Sequence, residues 1–201
     1  MDRTRRKWII VALLLASTTI NYVDRQTVSV LGPVLSREFG FTPLDYSWIV
    51  FFFLLAYSGM QALVGPLVDR LGTRRAFTLS VSWWSVASML HALGSSVASF
   101  SVFRFLLGTG EAANFPAALK ATAEHFGDDE RSTAVGIITA GPGLGALIAP
   151  PLIVWITLTW GWRSAFVLTG LLGFVWLALW LWLYRPATAD TGGTAEAVQA
   201  V

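Results

Sequence analysis

A chain of 201 residues with 55% hydrophobic and 13% charged residues is more apolar than soluble domains, which have about 45–50% apolar and about 25% charged residues. The 14 Lys and Arg residues exceed the 12 Asp and Glu residues only slightly, so the chain has no large positive surface for nucleic acid. The sequence has no Cys and two His, which excludes disulfides, cysteine nucleophiles and thiolate metal sites and leaves too few histidines for a multi-histidine zinc site. We therefore expect a membrane protein with no cofactor and no metal.

Six stretches are long and apolar enough for transmembrane helices, which need about 20 mainly apolar residues to cross the hydrocarbon core. In chain order they cover residues 8–35, 46–68, 76–93, 100–125, 132–158 and 163–184. Short polar turns separate them, and Asp45 is the expected N-cap of the second helix. The sequence predicts an all-α membrane protein, a bundle of six transmembrane helices in which successive helices are antiparallel.

The positively charged residues predict the orientation of the bundle, because cytoplasmic loops carry an excess of Lys and Arg. With the N-terminus inside, ten Lys and Arg residues lie on the cytoplasmic side and only Arg37 and Arg163 on the other. We expect a basic cytoplasmic N-terminus at residues 1–7, the bundle at residues 8–186, and a flexible cytoplasmic tail or the start of a central loop at residues 187–201. A cleaved signal peptide is disfavoured, because apolar character resumes after Arg25 and no A-x-A-like site stands out.

Four charged residues lie well within the predicted helices, away from their ends: Asp24, Arg25, Arg104 and Glu111. A charged side chain costs about 2.5–3.5 kcal/mol at the centre of a membrane helix, so such residues face a bundle interior or a water-filled cavity. Arg104 and Glu111 are two turns apart and share one face of the fourth helix, with Gly108 between them. If the first and fourth helices are neighbours, Asp24 can reach Arg104. Arg25 can then reach Glu111.

These charges have two interpretations. The first is a buried ion-pair network that only fixes packing. The second is a proton and anion site, in which Asp24 or Glu111 takes up a proton and Arg25 binds a substrate carboxylate through two hydrogen bonds. Hydroxyl and amide groups near these charges would suit a polyol such as a sugar acid. They belong to Asn21, Tyr22, Tyr57 and Gln61.

The turn between the second and third helices carries a longer pattern, G-P-L-V-D-R-L-G-T-R-R, at residues 65–75. It resembles the G-x-L-x-D-R-x-G-x-R-R loop of the major facilitator superfamily, and every fixed position matches. The resemblance implies that this loop steadies the outward-open state of a transporter and does not contact the substrate. The residues with this expected gating role are Gly65, Asp69, Arg70, Gly72, Arg74 and Arg75.

Further motifs resemble the anion:cation symporter branch of that superfamily. Residues 21–25 match its N-Y-x-D-R motif, and residues 104–117 match the R-x-x-x-G-x-x-E-A-x-x-F-P pattern of its fourth helix. Residues 130–134 and 145–151 are similar to its hexuronate-transporter-like members. The resemblance implies proton-coupled uptake of a small organic anion, such as a hexuronate or related sugar acid, across a bacterial inner membrane.

The same resemblance assigns roles to individual residues. Asp24 and Glu111 would handle the proton. Arg25 and Arg104 would couple the proton to the substrate, and Arg25 would also bind it. The positions implied to lie near the substrate are Tyr22, Tyr57 and Gln61.

Two departures keep other functions open. Residues 141–145 read G-P-G-L-G, where sugar-acid relatives usually have a polar residue at the Pro142 position, and this partly resembles the Gly-Pro motif of drug/proton antiporters. The chain also matches only the N-terminal half of a transporter whose substrate lies between two six-helix halves. We expect the lipid bilayer and either a C-terminal six-helix half or a second copy as partners, with a non-transporting remnant as an alternative. A membrane-embedded enzyme is disfavoured, because no helix with a G-x-S serine has a well-placed His on another helix.

Several remaining residues have expected structural roles. We expect His91 and His125 to lie at the two membrane interfaces. Trp176, Trp180 and Trp182 are expected to face lipid or a second half. Close packing between helices is expected at Gly136, Gly141, Gly143 and Gly145.

Overall fold

The computed structural model describes residues 3–185, with side chains from residue 5 onward. Within this range the chain folds into eight α-helices: α1 (Arg3–Phe39), α2 (Pro43–Leu71), α3 (Thr73–Leu90), α4 (Val97–Glu111), α5 (Asn114–His125), α6 (Asp128–Thr139), α7 (Gly141–Trp160) and α8 (Trp162–Leu183). They form six rods, because a short turn joins α4 to α5 and a single residue joins α6 to α7. The predicted all-α six-helix bundle is confirmed. The predicted tail at residues 187–201 lies outside the described residues.

The six rods differ in how apolar they are. In the described part of the chain, four stretches are each long and apolar enough to cross a membrane: Arg5–Phe39, Pro43–Leu71, Asp128–Trp160 and Trp162–Leu183. The third rod is α3, which carries several buried serines, and the fourth rod is divided into the shorter helices α4 and α5. Neither of these two rods meets the same requirement of length and apolar composition.

The start of α2 is set by a capping box. The Thr42 hydroxyl accepts the Asp45 backbone N–H at 3.2 Å, and Asp45 Oδ2 accepts the Thr42 backbone N–H at 2.9 Å. The prediction of Asp45 as the N-cap was therefore wrong. Thr42 is the N-cap because its short hydroxyl reaches the third helical N–H, while Pro43 occupies the first helical position, where no N–H is needed.

Close helix crossings depend on glycines at the rod contacts. α1 packs along α7 and α8, α2 along α4, and α3 along α8. A Cβ added to Gly108 would lie 2.6 Å from the Phe53 carbonyl oxygen, and one added to Gly145 would lie 2.6 Å from the Thr19 carbonyl oxygen. The close-packing prediction is confirmed for Gly141 and Gly145 but was wrong for Gly136 and Gly143, because a Cβ there would meet open space.

The break between α6 and α7 has a chemical cause. Pro142 has no N–H to donate to the Ile138 carbonyl, which would otherwise receive the hydrogen bond of a continuous helix. Thr18 of α1 lies against this carbonyl, with its hydroxyl oxygen 3.2 Å from the Ile138 carbonyl oxygen and 2.9 Å from the Leu15 carbonyl oxygen of its own helix. The fifth rod is thus interrupted where it passes the middle of α1.

The inner face of α8 carries a buried aromatic stack. Trp176 is 3% exposed and donates its indole N–H to the Leu13 carbonyl oxygen at 2.7 Å, while Trp180 stacks on Tyr184 at a centroid distance of 3.9 Å. The prediction that Trp176 and Trp180 face lipid or a second half was wrong, because positions 176, 180 and 184 share the face that packs on the bundle. Trp182, on the other face, is 76% exposed.

His91, directly after the end of α3, is covered by neighbouring helices. Its ring stacks on Phe166 at 5.1 Å, its Nδ1 lies 2.8 Å from the Ala87 carbonyl oxygen, and its side chain is buried. Aromatic rings of α4 and α8 cover this end of α3. His125 ends α5 and contacts the Arg185 carbonyl oxygen through Nε2 at 3.2 Å.

Candidate functional site

A polar cavity of about 290 Å³ opens near the middle of the bundle. Four of the six rods line it, and both helix breaks of the described chain lie at its wall. The lining residues are Thr18, Asn21, Tyr22, Arg25, Tyr57, Glu111, Asn114, Phe115, Thr139 and Pro142. Interrupted helices at a cavity in the middle of the membrane are typical of transporter binding sites.

Arg25 and Glu111 form an ion pair in the cavity wall. Arg25 Nη2 donates to Glu111 Oε2 at 3.0 Å and Arg25 Nε donates to the same oxygen at 3.2 Å. Both residues line the cavity, but the Arg25 side chain is 24% exposed and the Glu111 side chain 0% exposed, so the cation is the more accessible partner. The predicted pairing of these two residues is confirmed.

Three aromatic rings surround the Arg25 guanidinium. Its central carbon lies 4.8 Å from the Tyr22 ring, 4.9 Å from the Phe53 ring and 4.7 Å from the Tyr57 ring. Such cation–π contacts hold a guanidinium in place without neutralising its charge. Arg25 is therefore a fixed cation that borders a polar cavity, which is the arrangement that binds a carboxylate.

The second predicted ion pair is not formed. Asp24 Oδ1 accepts a hydrogen bond from Ser88 Oγ at 2.7 Å, and Arg104 Nη2 donates to the Arg25 carbonyl oxygen at 3.1 Å. The prediction that Asp24 pairs with Arg104 was wrong, because successive residues of a helix point about 100° apart. With Arg25 directed at α4, Asp24 points at α3 and α8 and does not line the cavity.

The other predicted substrate residues divide into two groups. Asn21, Tyr22 and Tyr57 line the cavity, and the Asn21 amide nitrogen is buried with no hydrogen-bond partner in the described part of the chain. Gln61 is exposed on α2 and does not line the cavity.

Sequence reasoning missed several cavity residues. The helix period would have found two of them, because Thr18 lies seven residues before Arg25 and Asn114 lies three residues after Glu111, each on the same helix face. Thr139 and Pro142 border the break between α6 and α7, whose orientation toward the cavity depends on packing. No three His, Cys, Asp or Glu side chains of the described residues lie together as a metal site.

The loop with the expected gating role contacts two other rods. Asp69 Oδ1 pairs with Lys120 Nζ at 2.7 Å, and Lys120 also donates to the Val68 carbonyl oxygen at 3.2 Å. Arg74 Nη2 donates to the Leu181 carbonyl oxygen at 2.9 Å. The loop therefore links the end of α2 to α5 and the start of α3 to α8.

The remaining residues of this loop make fewer contacts. Arg70 and Arg75 are exposed, and a Cβ on Gly65 would meet open space. Gly72 turns the chain between α2 and α3 with a φ of 74°, a conformation that L side chains rarely adopt. The glycine at position 72 is thus required by the turn itself.

A six-rod membrane bundle with interrupted helices and a cation at a central cavity has the features of a secondary transporter. A sequence profile of the Major Facilitator Superfamily matches residues 2–200, and the chain belongs to this family of transporters.

Two curated relatives have sugar-acid names. The chain is 37% identical to the hexuronate transporter of Escherichia coli (strain K12) over 179 residues, which cover 89% of this chain and 41% of the relative. It is 34% identical to the galacturonate transporter of Dickeya chrysanthemi over 179 residues, which cover 89% of this chain and 52% of the relative. The chain thus spans about half the length of the curated relatives it matches.

Solved structures share the fold. The chain superposes on the proton:xylose symporter XylE with a TM-score of 0.82 at 15% identity, covering 92% of this chain and 46% of that one. It superposes on a bacterial homologue of the human lysosomal transporter Spinster with a TM-score of 0.79 at 20% identity, covering 98% of this chain and 47% of that one. At these identities the likeness concerns the fold alone.

Proposed function

We propose that this chain forms one half of a secondary transporter that takes up an organic anion, a hexuronate or related sugar acid, together with protons. The observation that carries the proposal is the Arg25–Glu111 ion pair in the wall of a polar cavity. The sugar-acid names of the curated relatives support the substrate class.

Competition for Arg25 is the proposed coupling step. While Glu111 is ionised it occupies the Arg25 guanidinium, and a substrate carboxylate must displace it. Protonation of Glu111 removes its negative charge and weakens this bond, so the guanidinium becomes available for a bidentate bond to the substrate. Proton uptake and anion binding then favour each other.

Asp24 and Arg104 complete the proposed proton pathway. Asp24 is buried away from the cavity, so it exchanges protons without touching the substrate. Arg104 binds the backbone of α1 at Arg25, so a shift of either helix is transmitted to the anion site.

Hydroxyl and amide groups would bind the rest of the sugar acid. Asn21, Tyr22 and Tyr57 lie in the cavity wall of this half. Gln61 lies one turn beyond Tyr57 on an exposed surface of α2, where it would meet the substrate from the contact with the second half. That second half is a C-terminal six-helix bundle or a second copy of this chain.

The proposed setting is the bacterial inner membrane, with both termini in the cytoplasm. In this orientation the loop between α2 and α3 faces the cytoplasm, and its Asp69–Lys120 pair holds α2 against α5. Opening toward the cytoplasm must separate such contacts, which gives the loop its proposed gating role.

The test measures the uptake of labelled galacturonate and glucuronate by cells that express the two-half transporter. We expect accumulation that an imposed inward proton gradient increases and a protonophore abolishes. Uptake that does not depend on the proton gradient would exclude proton coupling. If neither acid is taken up, the proposed substrate class is excluded.

A second candidate is half of a drug/proton antiporter, which Pro142 in the cavity wall favours because it leaves that wall less polar. The discriminating measurement uses everted membrane vesicles that are acidified inside. An antiporter releases protons when a lipophilic cationic drug is added, whereas the proposed symporter does not respond to it.

A further inference from the structure

We propose that Asn114 contacts the substrate and selects sugar acids by donating a hydrogen bond to one of their hydroxyl groups. This inference rests on the proposed function, because it names the part of the cavity that distinguishes a hydroxylated acid from other anions. It adds a further neutral donor to the cavity, besides Asn21, Tyr22 and Tyr57.

The helix break places Asn114 in the cavity wall. Asn114 is the first residue of α5, directly after the turn that ends α4, and it lines the cavity although its side chain is almost fully buried. It follows Glu111 by three residues, and Ala112 and Ala113 between them keep right-handed helical backbone angles, so the two side chains lie on the same side of the rod. A substrate whose carboxylate is held at Arg25 therefore has Asn114 beside it, on the α5 side of the cavity.

A second side chain fixes the direction of the Asn114 amide. Ser17 Oγ of α1 donates to Asn114 Oδ1 at 2.6 Å, and Ser17 is 0% exposed. The carbonyl that Ser17 would bind in its own helix, that of Leu13, already accepts the Trp176 indole N–H at 2.7 Å. The Ser17 hydroxyl is thus directed at Asn114, and the amide oxygen is held against α1.

The amide nitrogen is the group left for the ligand. With Oδ1 bound to Ser17, Nδ2 points the other way, and it has no acceptor among the side chains and backbone of residues 5–185. Unlike the Asn21 amide nitrogen, it is not sealed from the cavity. An amide N–H₂ of fixed direction requires an acceptor oxygen, and a sugar hydroxyl supplies one.

A site built to bind a hydroxyl rejects analogues that lack it, because the donor is then left buried and unpaired. We therefore expect Asn114 to affect selectivity among acids more than the maximal rate. Arg25 attracts any carboxylate, while Asn114 weakens the binding of acids with no hydroxyl at the matching position.

The experiment measures KM and maximal uptake rate in the two-half transporter for galacturonate and for a set of its singly deoxygenated analogues. In the unmodified protein, one analogue should have a KM raised by about 3- to 10-fold, the range for one hydrogen bond. In Asn114→Leu this difference should vanish, with the KM for galacturonate raised to that of the analogue. Asn114→Asp keeps an oxygen for Ser17 but loses the donor, and it should raise the KM further by repelling the anion.

Two further variants keep the test decisive. Thr122→Val is the matched control, because its hydroxyl bonds only to the Ala118 carbonyl of its own helix, and it should leave every KM unchanged. Ser17→Ala frees the Asn114 amide to rotate and should reduce the same analogue difference while Asn114 is intact, which covers the case in which changes at Asn114 prevent folding. An analogue pattern that is the same in all variants would overturn the inference, whereas absence of galacturonate uptake by the unmodified protein would instead overturn the proposed function.

Discussion

Two neighbouring residues of α1 belong to opposite regions of the molecule. Arg25 borders the polar cavity and pairs with Glu111, whereas Asp24 points into a sealed contact with α3 and α8, where it binds Ser88. The first region borders a cavity that a small ligand can enter, whereas Asp24 is 1% exposed. The difference indicates that one helix separates an anion site from a buried carboxylate.

The largest expected effect comes from Arg25→Ala on the cavity side. The change removes the proposed anion-binding cation and leaves Glu111 buried without its partner. We expect galacturonate uptake to fall by about 30-fold or more, since breaking a buried charge pair costs about 2–5 kcal/mol. Thermal unfolding in detergent should also shift to lower temperature.

Arg163→Ala is the control for Arg25→Ala. Arg163 pairs with Glu38 at 3.3 Å, and both side chains are partly exposed. Such a pair contributes about 0–1 kcal/mol, so its loss should leave uptake and thermal stability nearly unchanged. Equal effects of the two substitutions would contradict the assignment of Arg25 to the anion site.

The next largest effect is expected for Glu111→Gln. Gln still accepts a hydrogen bond from Arg25, but its amide cannot take up and release a proton as a carboxylate does. A proton gradient should therefore no longer drive accumulation. Exchange of labelled for unlabelled galacturonate without a gradient should remain measurable. Glu130→Gln is the control, because Glu130 pairs with Lys7 at the end of the bundle. Gradient-driven accumulation by Glu111→Gln would exclude this carboxylate from the proton path.

A smaller effect is expected for Gly108→Ala, which tests the contact of α4 with α2 beside the cavity. The new methyl group would meet the Phe53 carbonyl oxygen, and overpacking of this kind costs about 1–3 kcal/mol. The measurement is the thermal unfolding temperature in detergent. Gly143→Ala, where a Cβ meets open space, should shift that temperature little in either direction. If Gly143→Ala lowers the unfolding temperature more than Gly108→Ala does, the described packing of α4 on α2 is wrong.

The smallest effect on substrate affinity is expected for Asp24→Asn, on the sealed side. Because Asp24 does not line the cavity, the KM for galacturonate exchange should change by less than about threefold, which is under 1 kcal/mol. Gradient-driven accumulation should fall, since the Asn amide cannot take up and release a proton. A large rise in KM would mean that Asp24 reaches the substrate and that the two sides of α1 are not separate.

Much of this comparison was predictable from the sequence. The apolar stretches predicted the six rods, and the two-turn spacing of Arg104 and Glu111 predicted a charged face on α4. The pairing of Arg25 with Glu111 followed once α1 and α4 were assumed to be neighbours. The same assumption failed for Asp24, because the rotation of α1 about its axis depends on how it packs against α7 and α8.

The rotation of α8 about its own axis was equally unpredictable from the sequence. A helix that is apolar on all sides gives no signal for its buried face, so the burial of Trp176 and Trp180 had no counterpart in the hydrophobic pattern. The burial of His91 was also not predicted, since the position of a residue along one helix does not reveal the rings that neighbouring helices pack against it. The position of Asn114 near the site, by contrast, could have been predicted, because it lies three residues after Glu111.

The unequal hydropathy of the six rods has a consequence for biogenesis. The four stretches that are apolar enough to cross a membrane can leave the translocon for lipid soon after they are made. By contrast, α3, with its buried Ser85 and Ser88, exposes polar groups until a neighbour covers them. Its main neighbour is α8, which is synthesised last of the described helices. We expect α3 to remain at the translocon until α8 arrives, so a ribosome stalled before residue 162 should leave α3 accessible to chaperones and proteases.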